Sequence, residues 1–431
     1  MITTTLLLLT LGILPPGTGE DTMETMNQIS LSYVKLVLGM GRHDADYVDA
    51  YYGPEEWRKE AEDAALDLAT LQKQADEQAT RLAALDTASL DALGKQRHLY
   101  LTKQLRALTT RAAWLSGKKM TFDEEASQLY DVAPPTFGED HFRALSTELE
   151  TVLPGEGTLS QRLEIFRDRF VIPPEKLDAV FKAAIEEARK RTARHMTLPS
   201  GENFVVEYVK DKAWSGYNWY KGKAYSLIQV NTDLPITIDR AVDLACHEGY
   251  PGHHVYNALL EKHMVRDRGW MEFSVYPLFS PQSLIAEGSA NFGIAVAFPG
   301  KERITYERDV LFPLAGLDPA SVEEYYKVME LVQKLSYAGN EAARHYLNGT
   351  WDQEKTITWL IDYALFSRPR AKQRLKFIEK YRAYVINYNL GQDMVAAWVN
   401  AQGGTDDHPE KRWQVFERLL SGPILPSNLK P

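Results

Sequence analysis

Between Asp243 and His254 the chain reads Asp-Leu-Ala-Cys-His-Glu-Gly-Tyr-Pro-Gly-His-His, holding three of its ten histidines and its only cysteine. A histidine beside a glutamate, with more histidine shortly after, is how zinc hydrolases assemble a metal ion and a base. The spacing departs from the usual His-Glu-x-x-His, whose ligands stand at i and i+4, about 6 Å apart along a helix. After His247 the next histidines are His253 and His254. On a straight helix His253 lies about 240° around from His247, while His254 shares its face but stands about 10.5 Å farther along. Neither pair closes on one ion. Gly249, Pro251 and Gly252 supply the interruption such a site needs, because proline removes a backbone donor and glycine tolerates the resulting angles. A bulge of two extra residues brings His253 to the i+4 position; a bulge of three brings His254 there.

A third ligand is expected from Glu287, which lies in an apolar stretch (Leu284, Ile285, Ala286, then Ala290 and Phe292). An unpaired carboxylate there is costly, and coordinating a cation removes the cost. Asn291, four residues on, shares its face and is placed to hydrogen-bond a ligand; Asp243, four residues before His247, is placed similarly. Glu248 is the group expected to take the proton of a metal-activated water. Arg344 is a candidate to assist at a developing oxyanion or to bind a substrate carboxylate, with His345, Tyr337 and Tyr346 as lesser candidates. The cofactor expected is Zn2+. Two histidines and a carboxylate also make an iron(II) centre, and a peptide- or metal-binding protein with a decayed site is the reading from another class. Glu248 beside a ligand histidine favours hydrolysis over both.

The elements that must position these residues are mostly helical. Met26 to Met40 has apolar residues at helical intervals, and two or three long helices are predicted between Pro54 and about Gly117, with Asp86 and Ser89 as caps at the join. Helices continue through 118–200, broken at Pro134-Pro135 and at Pro154 to Gly157, and one opens at Pro173-Pro174 and runs to about His195. The charges around Glu186–Arg191 read as a solvated face. Phe204–Val209 and Ala224–Asn231 are the strong strand signal, separated by an aromatic stretch from Trp214 to Tyr220. A short sheet directly before the metal-bearing helix is an arrangement in which an edge strand holds an extended peptide. Helix returns after the motif at 283–293 and over about 320–347, 353–366, 370–390 and 391–402.

With 431 residues and a net charge of −10, the chain has room for a large core and no Lys/Arg-rich block, which argues against nucleic acid as a partner. A single cysteine excludes an internal disulfide framework. Leu6 to Leu14, followed by Pro15-Pro16 and small residues to Gly19, form an apolar run of signal-peptide length, too short to span a bilayer. Residues 1–19 are therefore expected to be a signal peptide on a secreted or periplasmic protein with no integral membrane segment. No Lys or Arg precedes Lys35, and no cysteine follows the run to carry a lipid; a start at Met23 or Met26 would make the protein cytoplasmic. Residues 20–200 are expected to form a helical N-terminal region and 201–431 the metal-binding catalytic region, packed together as one cleft-forming unit.

His247-Glu-Gly-Tyr-Pro-Gly-His-His254 and Ala286-Glu-Gly-Ser-Ala-Asn291 resemble the signature of a bacterial family known as domain of unknown function 885. Tyr388-Asn-Leu-Gly391 and the closing Phe416-to-Pro426 segment resemble that family's Tyr-x-x-Gly and Leu-x-x-Gly-x-x-Pro-Leu. The resemblance runs from about residue 204 to the end and departs from the family at Ser289, where Trp is usual. It implies a mainly α, gluzincin-like metallopeptidase fold with a small β-sheet beside the metal-binding helix and a deep central cleft. It further implies hydrolysis of peptides rather than folded proteins, His253 rather than His254 as the ligand, and Tyr388 as the donor to the oxyanion.

Overall fold

The hydrophobic pattern of the first helix, Gly19–Met40, shows how the chain builds its frame: Met26, Ile29, Tyr33, Val34, Val37 and Met40 fall on one face and are fully buried. That face packs on the helices Glu55–Ala64, Leu68–Ala83 and Ala92–Leu115. The structure, a computed structural model, describes residues 19–429 apart from Ala213; apart from Gly19 the expected signal peptide lies outside the described residues. Asp67 and Asp91 cap the second and third of these helices by accepting from Thr70 N and Gly94 N, each at 2.7 Å. The caps expected at Asp86 and Ser89 are displaced, because Asp86 instead closes a turn onto Ala88 N at 2.9 Å.

Three side chains bolt this bundle to the rest of the protein. Arg97 and Glu272 form a fully buried, two-pronged ion pair (2.6 and 3.0 Å), and Ser30 Oγ donates to the same carboxylate at 2.6 Å. Arg97→Met strands Glu272 without its counter-charge and is expected to lower the unfolding free energy by about 3–5 kcal/mol. Replacing both partners, Arg97→Met with Glu272→Leu, is expected to recover most of that loss. Denaturant midpoints of the single and double variants decide it.

Helices at Phe122–Tyr130, Glu139–Val152, Leu159–Asp168 and Leu177–His195 follow, two of them begun by capping boxes at Thr121/Glu124 and Thr158/Gln161. The charged run on the last of these is only partly a solvated face: Arg189 holds Glu202, and Arg191 reaches Glu302 and the carbonyl of Ala297. The fold is mainly helical with a small sheet beside the metal-motif helix. In that sheet β2 (Asn203–Val209) runs parallel to β4 (Tyr225–Asn231), and β3 (Gly216–Tyr220) lies antiparallel on the other side of β4. The aromatic stretch between the two predicted strands is thus a strand itself. A further pair unseen in the sequence, β1 (Val48–Tyr51) with β5 (Val275–Pro277), is too short to show a period.

Beyond the sheet, the buried helix Pro281–Ala297 crosses the helix Ile386–Ala401 so closely that a Cβ on Gly288 would stand 2.4 Å from the backbone carbon of Gly391. Gly391 was expected to begin a helix. It lies inside one, because its role is to admit the neighbouring backbone rather than to punctuate the chain. The helix expected over 370–390 is two: Arg368–Tyr381, then a short 3₁₀ turn Arg382–Val385 before Ile386. Both large apolar clusters draw residues from before position 200 and after it. No helix among the described residues is long and apolar enough to cross a membrane.

Candidate metal centre

The motif helix runs regularly over Asp239–Leu244, then widens over Ala245–Gly249, where Tyr250 N bonds back five residues to Ala245 O at 2.9 Å. Gly252 N bonds back six residues to Cys246 O at 2.9 Å, and a new helix, His253–Leu260, begins. Only glycine fits at 252, since a Cβ there would stand 2.0 Å from His247 O. The broken helix folds His253 back on His247, with their Nε2 atoms 3.1 Å apart.

Glu287 meets this pair from the crossing helix. Its Oε2 lies 3.2 Å from His247 Nε2 and 3.7 Å from His253 Nε2. Two ligands on a tetrahedral ion at about 2.0–2.1 Å stand about 3.3 Å from each other, so the three separations match the edges of one coordination tetrahedron. Glu287 Oε2 is buried with no hydrogen-bond donor, as a group awaiting a cation would be. Its Oε1 accepts from Tyr384 OH at 2.7 Å, which fixes the carboxylate plane. Asn291 Nδ2 donates to Tyr388 O at 2.9 Å; this turns Asn291 Oδ1 toward His247 Nδ1, also at 2.9 Å. With its Nδ1 proton held there, His247 presents the Nε2 lone pair to the centre.

His254 points the other way. It is buried between Ser226 Oγ (2.9 Å) and Glu202 Oε2 (3.1 Å), and Glu202 is held in turn by Tyr250 OH and Arg189. Glu248 is buried beside β3, its Oε1 lying 2.9 Å from where a Cβ on Gly216 would be. Asn218 Nδ2 on the same strand donates to the Glu248 carbonyl at 2.6 Å. Among the described residues its carboxylate has no hydrogen bond or ion pair. Asp49 on β1 is bonded by Tyr217 OH of β3, and burial pushes its carboxyl up to about 6.

The electrostatics favour a cation. Burial alone would depress the basicity of His253, but Glu287, Glu248 and Asp49 outweigh it and lift the imidazole to about 9. The two imidazoles overcome burial to hold Glu287 well below the ordinary carboxylate range. Burial and the Glu287 charge push the phenols of Tyr384 and Tyr388 far up, so both are proton donors at neutral pH.

Other residues singled out in the sequence are engaged elsewhere. Arg344 gives Nε to Glu341, Nη1 to Asp123 and Nη2 to Pro135 O, and none of these bonds reaches the histidines. Its guanidinium ties two helices to a loop instead of presenting donors to a substrate. Tyr337 bonds Asp393, Tyr346 bonds Glu379, and His345 bonds Thr350. Sequence reasoning missed Tyr384, one turn before Tyr388, and also Asp49 and Tyr217. The Tyr384 signal was available in the i, i+4 spacing; the other two come together only through strand packing.

Asp243 pairs with Arg303 (2.8 Å) and Arg240 (3.1 Å), away from the centre. Arg303 also bonds Glu307, whose carboxyl burial pushes up to about 7 against the pull of the guanidinium. The folded state therefore keeps a proton that the unfolded chain releases near pH 4–5, and stability falls as pH rises from there to about 7. Between about pH 4 and about pH 8, the unfolding free energy of Glu307→Gln is expected to gain ~3 kcal/mol on wild type. Denaturation of both proteins at the two pH values measures the shift; parallel curves would place Glu307 as ionised throughout.

No family model matches the chain, and no curated protein matches it. Among solved structures it is similar to one described as "the putative lipoprotein from Colwellia psychrerythraea", with a TM-score of 0.50 and 18% identity over 83% of this chain and 65% of that one. The chain thus spans just under two thirds of that protein's length, and the likeness is one of fold. An M32 carboxypeptidase from Deinococcus radiodurans R1 aligns at a TM-score of 0.47 and 13% identity, over 91% of this chain and 88% of that one. The comparison bears on the helical fold, and within that fold His247, His253 and Glu287 form a group that could hold a metal ion.

Proposed function

We propose that this protein is a zinc-dependent hydrolase of peptide bonds, of the gluzincin kind that the domain of unknown function 885 motifs imply. The observation that carries the reading is the convergence of His247 Nε2, His253 Nε2 and the donor-less Glu287 Oε2, with the unengaged carboxylate of Glu248 next in sequence to one of them. His247, His253 and Glu287 would hold the ion. When bound, zinc supplies Lewis acidity toward a water molecule and the scissile carbonyl.

The chain's own groups then divide the remaining work. Glu248 accepts the proton of the attacking water and passes it to the leaving amine. Tyr388, kept protonated by its surroundings, donates a hydrogen bond to the oxygen of the carbonyl under attack. Tyr384 and Asn291 orient Glu287 and His247. The backbone of β3, running beside Glu248, offers an extended peptide a strand edge. Export of the chain goes with this reading and rests on the apolar run Leu6–Leu14.

The test is a peptide-library digest read by mass spectrometry, run beside metal analysis of the same preparation. About one zinc per chain and cleavage products absent after chelation are expected. Zinc without cleavage would leave a binding protein, and iron in its place would point to oxygen chemistry.

A further inference from the structure

The helix Arg368–Tyr381 carries an arginine to which the fold has given nothing to hold. Among the described residues Arg374 makes no hydrogen bond and no ion pair, and its Nε is buried without an acceptor. Its guanidinium lies 4.9 Å from the centre of the Phe377 ring, and its Nη2 faces the bare backbone of Gly339, where a Cβ would stand 3.8 Å away. A guanidinium presents five donors in a fixed fork, so leaving the buried Nε of that fork without an acceptor is unfavourable.

Arg374 is not isolated. Arg370, one turn earlier, lies 4.9 Å from the centre of the Phe366 ring, and among the described residues neither it nor Arg167, from the helix Leu159–Asp168, has a hydrogen bond or ion pair. Arg240 is partly occupied, by Asp243 at 3.1 Å and Ser215 Oγ at 3.4 Å. The charges of Arg167, Arg240 and Arg374 act together on Arg370, and the carboxylate of Asp239 opposes them. All four remain cations at neutral pH. Two carboxylates, Asp239 and Asp243, stand against these four charges.

Tyr388 connects this cluster to the candidate metal centre. Its phenol feels the charges of Glu287, Arg374 and Glu248 together, and its ring lies 6.4 Å from that of Phe377, which Arg374 covers. At the other end, Arg240 bonds Ser215, the neighbour of the Gly216 that lies against Glu248.

We propose that Arg374, supported by Arg370, Arg167 and Arg240, forms a subsite beside Tyr388 that binds a carboxylate of the peptide substrate. A carboxylate accepts two parallel N–H bonds from such a fork, which a neutral amide does not. The inference rests on the reading of the site as a peptidase and narrows it: the carboxylate is either the free C-terminus of the peptide or an Asp or Glu side chain near the cleaved bond.

The full-length Glu248→Gln protein, loaded with zinc, is titrated calorimetrically with four peptides of one sequence, ending in Ala or Glu and carrying a free acid or an amide. Binding of the carboxylate-bearing peptides is expected to be roughly 10- to 100-fold tighter than that of the neutral one. The preference should vanish on adding Arg374→Gln and return in part with Arg374→Lys, with zinc content and unfolding midpoint unchanged. Should Arg374→Gln be unstable, Arg370→Gln at its exposed position is expected to weaken the same preference. Selectivity that follows the free acid identifies C-terminal cleavage, and selectivity that follows Glu identifies acidic peptides; either supports the subsite. Equal affinity for all four peptides, or a preference that survives both substitutions, overturns it. Failure of the wild type to cleave any peptide overturns the peptidase reading alone, because the binding preference is measured without turnover.

Discussion

Glu248→Gln is expected to leave the bound metal in place and to lower kcat for peptide hydrolysis by about 10²–10⁴-fold with little change in KM. The reason lies in where the carboxylate sits. It follows a histidine that faces the centre, yet it is not among the three converging groups and makes no hydrogen bond that would tie it to a structural task. It lies against the glycine of β3, and Asn218 steadies its backbone rather than its side chain. Glutamine keeps the volume and loses the ability to take a proton. Metal analysis of the purified variant paired with single-turnover rates separates the cases. Full activity would assign the base to another group, and loss of metal would make Glu248 a ligand.

Glu287→Ala and His253→Ala should each empty the site, taking the metal content from about one ion per chain to near zero after dialysis, whereas His254→Ala should retain it. The contrast between the two adjacent histidines is the sharper half of this prediction. His253 Nε2 stands within 3.7 Å of both His247 Nε2 and Glu287 Oε2, while His254 has both ring nitrogens engaged by Ser226 and Glu202. His254→Ala is therefore expected to act on stability, by about 1–3 kcal/mol, since it leaves Glu202 and Ser226 short of a buried partner. Metal retained in both Glu287→Ala and His253→Ala, or lost in His254→Ala alone, would overturn the ligand set.

The same histidine pair shows where the sequence stops being informative. The need for a break between His247 and the later histidines is dictated by helix geometry and visible in Gly249, Pro251 and Gly252. Whether the break inserts two residues or three is a difference of one backbone hydrogen bond. Here it is decided by Tyr250 and Gly252 bonding back to Ala245 and Cys246, and by a polar nest of Ser226, Glu202 and Tyr250 ready to receive His254. Two members of that nest, Ser226 on β4 and Glu202 just before β2, come from 28 and 52 residues away in the chain.

Glycine taught a similar lesson. Gly288 and Gly391 belong to two motifs nearly a hundred residues apart; the first read locally as one residue of a helix and the second as a helix start. Their backbones touch where the helices Pro281–Ala297 and Ile386–Ala401 cross, and the contact brings Tyr384 onto Glu287 and Asn291 between His247 and Tyr388. No local pattern marks a pair of glycines as partners.

By itself, then, the sequence determined what depends on near neighbours: the helical frame, the one well-marked sheet, the broken metal-motif helix, and the apolar helix in which Glu287 must find a cation or suffer. Tertiary structure alone decided which imidazole meets His247, that Tyr384 rather than solvent faces Glu287, that Asp49 arrives on a four-residue strand, and which arginine is left without a partner. Arg344 and Arg374 are alike in sequence terms, each a cation on a late helix. A side chain that long can satisfy itself on whatever the packing brings within reach, and among the described residues the packing gave Arg344 three acceptors and Arg374 none.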